Sequence, residues 1–85
     1  MASYSLRIKK SAEKELRSVP KADLARLVHR LQAFASNPRP HGCEKLSGED
    51  KYRVRQGDWR AVYWIDDAVK AVEIVKIGHR REVYR

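Results

Sequence analysis

Near the middle of the chain, Gln56-Gly57-Asp58-Trp59 lies between two runs of alternating character, and this arrangement dictates a β-hairpin with a definite register. Glycine followed by aspartate suits a two-residue hairpin loop, because glycine reaches backbone angles closed to other residues. So short a loop leaves no freedom in the pairing: Gln56 faces Trp59, Arg55 faces Arg60, Val54 faces Ala61, Arg53 faces Val62 and Tyr52 faces Tyr63. Successive side chains on a strand point to opposite faces. Tyr52, Val54, Ala61, Tyr63 and Ile65 therefore share one surface, and Lys51, Arg53, Arg55, Arg60, Val62 and Trp64 share the other. The first surface is apolar and is expected to lie against helices; the second is basic. Arg55 opposite Arg60 is a like-charge pair, which costs from a few tenths to about 1 kcal/mol. An anion bound on that face would relieve it. Equally, the guanidinium groups can splay into water or pair with Glu44, Glu49 or Asp58, at almost no net energy.

The rest of the chain supplies the helices. Tyr4, Leu6 and Ile8 alternate with polar residues and predict a first strand. Ser11 is positioned to cap a short helix running through Glu13, Glu15, Leu16 and Arg17, which Val19-Pro20 ends. Pro20 suits the first turn of a second helix, with Asp23 in that turn and Leu24, Leu27, Val28, Leu31 and Phe34 along one face. Asn37-Pro38-Arg39-Pro40-His41-Gly42 breaks that helix. Beyond it, Glu44 to Leu46 is too short to assign, and Ser47-Gly48-Glu49-Asp50 reads as a turn. Strands follow at Lys51 to Gln56, Trp59 to Asp66 and Ala71 to Ile77. The expected class is α+β, a single domain over residues 1–85, with two helices in the N-terminal half packed on one face of a small, mainly antiparallel four-stranded sheet.

A chain of 85 residues builds one modest core, with a net stability on the order of 4 to 13 kcal/mol. Its lone Cys43 cannot form an internal disulfide, and three histidines and one thiol at these spacings fall short of a zinc site, so neither metal nor other cofactor is expected. No apolar run is long enough to span a membrane and the first residues lack a signal peptide's apolar block, so the expected location is cytoplasmic. Lys and Arg number 19 against 11 Asp and Glu, a formal net charge of +8. That excess points to a polyanionic partner, with a merely solvated basic surface as the bland alternative.

The charge is gathered in two places, the basic hairpin face and the tail Ile77-Gly78-His79-Arg80-Arg81-Glu82-Val83-Tyr84-Arg85. Arginine keeps its charge and offers a planar fork of donors, histidine exchanges a proton near neutrality, and tyrosine brings a stacking face and a hydroxyl. Hairpin and tail together read as the two walls of a phosphate site. Trp64 either stacks on a base or packs beneath the tail. His29 and His41 read as surface residues.

Tyr52-Arg53-Val54-Arg55, Gly57-Asp58-Trp59-Arg60-Ala61-Val62-Tyr63 and Ile77-Gly78-His79-Arg80-Arg81-Glu82-Val83-Tyr84 closely resemble the RelE branch of the RelE/ParE toxin superfamily. The similarity spans nearly the whole chain, with the Leu16 helix, the Asn37-Pro38 break and the Lys45-Leu46-Ser47-Gly48 segment in the family's order. It implies the toxin of a type II toxin-antitoxin module. Such toxins are metal-independent endoribonucleases that cut messenger RNA in the ribosomal A site and are silenced by a cognate, acidic, RelB-like antitoxin. The family's catalytic positions fall on Arg53, Arg55, Arg60, Arg80 and Tyr84; Lys51, Trp64, Arg81 and Arg85 are the expected RNA contacts around them. The strand positions that are lysine in the best-known members are arginine here, and arginine cannot act as a base. The resemblance then leaves His79, with Glu82 behind it, to accept the 2′-hydroxyl proton, or to shape the turn after Gly78. The expected antitoxin has an apolar surface to cover at Val62 and Trp64. Two other readings stay open, a ParE-like inhibitor of DNA gyrase and an RNA-binding module that cuts nothing.

Overall fold

A computed structural model describes residues 3–46 and 50–80. The elements are β1 (Ser5–Ile8), α1 (Lys10–Arg17), α2 (Lys21–Gln32) with a 3-10 turn at Ala33–Ala35, β2 (Glu44–Lys45), β3 (Lys51–Gln56), β4 (Trp59–Asp66) and β5 (Ala71–His79). They form the expected α+β arrangement, but the sheet has five strands, ordered β1-β5-β4-β3-β2. The additional strand is β2, whose two residues pair with Arg53 and Tyr52; a segment that short has no periodicity to read. β1 runs parallel to β5 and every other pair is antiparallel.

The hairpin forms in the expected register at every pair from Gln56–Trp59 to Tyr52–Tyr63. Gly57 has φ 62° while Asp58 keeps a negative φ, the combination of a type II′ turn with glycine first. Val54, Ala61, Tyr63 and Ile65 are buried with Ala12 of α1, Leu27 and Leu31 of α2, and Phe34. The Phe34 and Tyr63 rings stack with centroids 4.1 Å apart. The buried Tyr63 hydroxyl donates to the Pro38 carbonyl at 2.8 Å, which ties the proline loop to the core. Burial holds that phenol well above its ordinary pKa.

Helix α1 begins at Lys10, with Lys9 as the residue before it, so Ser11 lies inside the helix and caps nothing. The Lys9 amide continues the β1 ladder by donating to Ile74 (2.9 Å), while its carbonyl already accepts from Glu13 (2.9 Å). Strand passes into helix without a spare residue, and no position is left for a side-chain cap. Pro20 likewise precedes α2, and Asp23 is in the first turn as expected.

An irregularity in β5 sets which way the end of that strand faces. Val62 faces Lys76, but Tyr63 faces Ile74, so Val75 is an extra residue in the ladder. Strict alternation would put Ile74 and Ile77 on opposite faces. The bulge brings both into the core, where they are 2% and 1% exposed. β1 ends opposite Ile74, so among the described residues no strand pairs with that edge of β5 beyond it; there the Glu15 carboxylate accepts the Ile77 amide at 3.0 Å. Glu15→Ala should therefore cost about 1–3 kcal/mol in denaturant unfolding and speed hydrogen exchange at the Ile77 amide, whereas Glu15→Gln, which retains an acceptor oxygen, should cost less.

A second tie closes the opposite end of the sheet. The Asp67 carboxylate accepts from Arg39 Nη1 and Nη2 (3.2 and 2.8 Å) and from the Tyr4 hydroxyl (2.7 Å), and Arg39 Nε reaches the Tyr52 hydroxyl at 3.2 Å. The hydrogen bonds from Arg39, then that from Tyr4, lower the Asp67 pKa from 3.8 to about 2. A depressed carboxylate pKa means stability that is complete above about pH 4 and lost as pH falls toward 2. Asp67→Asn should flatten that part of the stability–pH curve, as measured by chemical unfolding at stepped acid pH.

Candidate nucleic-acid interface

Because the bulge shifts β5 by one residue, Gly78 falls directly beside Arg60, which itself faces Arg55. The three positions form a row across β3, β4 and β5 on the face away from the helices. Glycine contributes no side chain, so no Cβ stands across from Arg60 on β5. Arg60 is 8% exposed, the one charged residue buried among those described. Its Nη1 donates to the Gly57 and Trp59 carbonyls, each at 3.3 Å. The hairpin loop thus holds in place the arginine that follows it.

The other sheet arginines are more open. Arg53 pairs with Glu44 at 2.9 Å, which realises in part the bland alternative of local ion pairing. Arg55 is exposed. Arg80 continues the β4–β5 ladder, its amide donating to the Asp58 carbonyl at 2.8 Å, and its Nε lies 3.8 Å from the Asp58 carboxylate. These surface pairs contribute between 0 and about 1 kcal/mol each, little enough for an incoming phosphate to displace.

The remaining expected residues divide sharply. The same register shift that aligns Gly78 with Arg60 sends His79 to the helix-facing side, opposite Trp59. Its ring packs edge-on against that indole at 5.6 Å, and the indole donates to Asp23 at 3.3 Å. His79 is thus not brought together with the arginines. Lys51 and Trp64 face each other on the basic side, four residues along β4 from Arg60, or roughly 13 Å at strand rise. They line a separate hollow of about 510 Å³ with Arg39, Tyr52 and Asp67, and the Trp64 indole donates to Glu73 at 3.2 Å. Val62, expected to be exposed, is 8% exposed; its neighbours across the ladder are Arg53 on β3 and Lys76 on β5. Arg81, Glu82, Tyr84 and Arg85 lie outside the described residues, as does most of the expected turn at 47–50.

The arginines open onto a cleft of about 750 Å³ at the edge of the sheet. Continuing the β2–β3 register would put Gly42 opposite Arg55, but Gly42 has φ +92° and sits in a turn closed by the Cys43 amide on the Pro40 carbonyl (3.1 Å). The ladder stops and the edge stays open. Besides Arg53, Arg55 and Arg60, the cleft is lined by Glu44, by Arg30 from the last turn of α2 and by His41. Sequence reading missed the last two. Arg30 is twenty-three residues before Arg53 in the chain and reads locally as a basic residue at a helix C-terminus. Chemically, such an arrangement can cradle a phosphate: among the described residues lining it there are four arginines, one carboxylate and one imidazole. Among the described residues, no three His, Cys, Asp or Glu side chains converge to hold a metal, and no helix is long and apolar enough to cross a membrane.

Residues 6–84 match the family described as the ParE toxin of type II toxin-antitoxin systems, parDE. The toxin RelE of Mycobacterium tuberculosis is 33% identical, the alignment covering 96% of this chain and 87% of that protein. Among solved structures, RelE in the archaeal RelE–RelB complex from Pyrococcus horikoshii superposes with a TM-score of 0.80 at 29% identity, over 95% of this chain and 99% of that one. The isolated RelE toxin of E. coli also superposes with a TM-score of 0.80 at 29% identity, over 96% and 92% of the two chains.

Proposed function

This chain belongs to the ParE toxin family of type II toxin-antitoxin systems and is a RelE-like toxin of the RelE/ParE superfamily, and from that premise we propose that it is a ribosome-dependent messenger RNA endonuclease. The observation that supports the reading is the convergence of Arg53, Arg55 and Arg60 on one cleft, with Gly78 across from Arg60 and Arg80 two residues further along the chain at the hairpin end. In the proposed reaction the ribose 2′-oxygen attacks the adjacent phosphorus, the bond to the 5′-oxygen breaks, and a 2′,3′-cyclic phosphate and a free 5′-hydroxyl result. The phosphorane between them carries extra negative charge, which fixed donors stabilise more than they stabilise the starting diester. Arg60, Arg55 and Arg53 hold the scissile phosphate, Arg80 at the strand end faces the leaving oxygen, and Tyr84 stacks on a base to hold the bend for in-line attack. The partners are translated messenger RNA in the ribosomal A site and a RelB-like antitoxin, such as the one RelE binds in the archaeal complex.

The edge-on packing of His79 against Trp59 supports the reading in which it shapes the turn from which Arg80 emerges, over the one in which it accepts the 2′-hydroxyl proton. His79→Ala should slow cleavage by less than about tenfold, below the loss expected of a general base, and leave the shape of the pH–rate profile unchanged. Loss of the acid limb would instead put the imidazole in the proton transfer. The function itself is tested by mapping transcript 5′ ends after expression in cells. Cuts within translated codons that vanish when translation is blocked support it. Intact transcripts with accumulating DNA breaks would replace it with gyrase inhibition, and RNA binding with neither outcome would leave a binding module.

A further inference from the structure

Arg30 is the cleft residue that the fold itself leaves unexplained. It stands in the last turn of α2, half-buried, and its Nη2 makes one long hydrogen bond, 3.4 Å, to the His41 carbonyl. Its Nε is shut off from solvent with no hydrogen-bond partner, the one such side-chain atom among the described residues. Among those residues no carboxylate pairs with the guanidinium. A buried donor left unmade is unfavourable, and the positive charge adds to those of Arg53, Arg55 and Arg60 in a cleft where, among the described residues, Glu44 is the single carboxylate. In return the free fold has the one long bond to the His41 carbonyl.

We propose that Arg30 contacts an RNA phosphate in this cleft, gripping the strand on the helix side of the sheet edge while the hairpin arginines hold the scissile phosphate. Of the proposed function, this rests only on RNA being the ligand of the cleft. Two features set Arg30 up for the task. The edge of β3 is open at Arg55 because Gly42 turns away, so a strand lying over Arg60 has a path across the sheet edge to Arg30, with Glu44 as the β2 residue on the cleft wall. A phosphodiester also supplies two acceptor oxygens at the spacing of the side-on Nε–Nη fork. Drawing the guanidinium into the cleft brings the unmade Nε donor into use and offsets the clustered charge. The phosphate is a neighbour of the reacting one, so Arg30 positions substrate and takes no part in bond making.

The test uses the whole toxin and a short oligoribonucleotide with every 2′-hydroxyl methylated, which binds but cannot be cut. The Nε–H resonance of Arg30 should move on titration, with the resonance of Arg17, exposed on α1 and paired with Glu13, as the reference that does not. Arg30→Gln should weaken binding by about tenfold or more, as loss of a charge-assisted hydrogen bond predicts, and lower the salt dependence of log Kd by about one unit of slope. With translating ribosomes, Arg30→Gln should raise KM and leave kcat within about twofold, the signature of uniform substrate binding. An Arg30 signal that moves no more than that of Arg17, or an unchanged salt slope, overturns the proposal. If the wild-type toxin cuts no transcript and the oligonucleotide still shifts the Arg30 signal, the nuclease reading fails and this one stands. If transcripts are cut and Arg30→Gln binds and cuts as the wild type does, this one fails alone.

Discussion

Replacing Arg60 by alanine should lower the rate of cleavage of translated messenger RNA by about 100- to 1,000-fold, the loss seen when one fixed donor to a developing oxyanion is removed. Among the sheet arginines, Arg60 is the best preorganised: it is buried, it is held by the carbonyls of Gly57 and Trp59, and at Gly78 no Cβ stands across from it. A donor held before substrate arrives spends no reorganisation in the transition state. Alanine at a buried position also disturbs packing, so the comparison needs Arg60→Lys, which keeps the charge and loses the fork, and Arg80→Ala at an exposed site. Cleavage in a translation extract, with thermal unfolding of each variant in parallel, separates the two effects. Full activity in both Arg60→Ala and Arg80→Ala would overturn the site.

The largest effect on stability should come from Tyr63. Its ring is fully buried, stacks on Phe34 and packs near Tyr52, and its hydroxyl holds the Pro38 carbonyl. Truncating a large buried aromatic costs about 3–5 kcal/mol, against a total expected at about 4–13 kcal/mol for a chain of this size. Tyr63→Ala should therefore leave little or no folded protein at 37 °C, as judged by denaturant unfolding. Tyr63→Phe keeps the ring and strands the Pro38 carbonyl, for about 1–3 kcal/mol. It also removes one of the ties on the proline loop, leaving those of Arg39 to Asp67 and Tyr52, and so loosens the His41–Gly42 wall of the cleft. Cleavage by this variant should fall further than its loss of folded fraction accounts for.

What was legible in the sequence is concentrated where the physics is local. The hairpin register follows from a loop two residues long, and all five expected pairs form because nothing between Tyr52 and Tyr63 interrupts the alternation. The long helix follows from the spacing of Leu24, Leu27 and Leu31, which reach the core together. The misreadings have equally local causes. β2 is too short to have a period, Ser11 was pre-empted as a cap by the backbone bonds of Lys9, and Val62 alternates onto the basic face yet is buried there. The family resemblance rests on residue types in order, and order survives these local errors, which is why the relatives agree with it along nearly the entire chain.

The site divides along the same line. By itself, the sequence determined that Arg53, Arg55 and Arg60 share a face, because alternation and a tight turn leave no other outcome. Which residues join them was decided only in three dimensions. The core accepts both Ile74 and Ile77, and it does so by bulging β5 at Val75; that one-residue shift puts Gly78 beside Arg60 and turns His79 to the other side. Side chains repeat every two residues along a strand, so a single inserted residue exchanges the faces of all that come after it. No local pattern in Val72-Glu73-Ile74-Val75-Lys76-Ile77 announces which residue is the extra one. Arg30 entered the cleft by the same kind of global choice, from a helix whose own spacing shows a buried stripe and gives no sign that its last turn meets the open edge of a sheet.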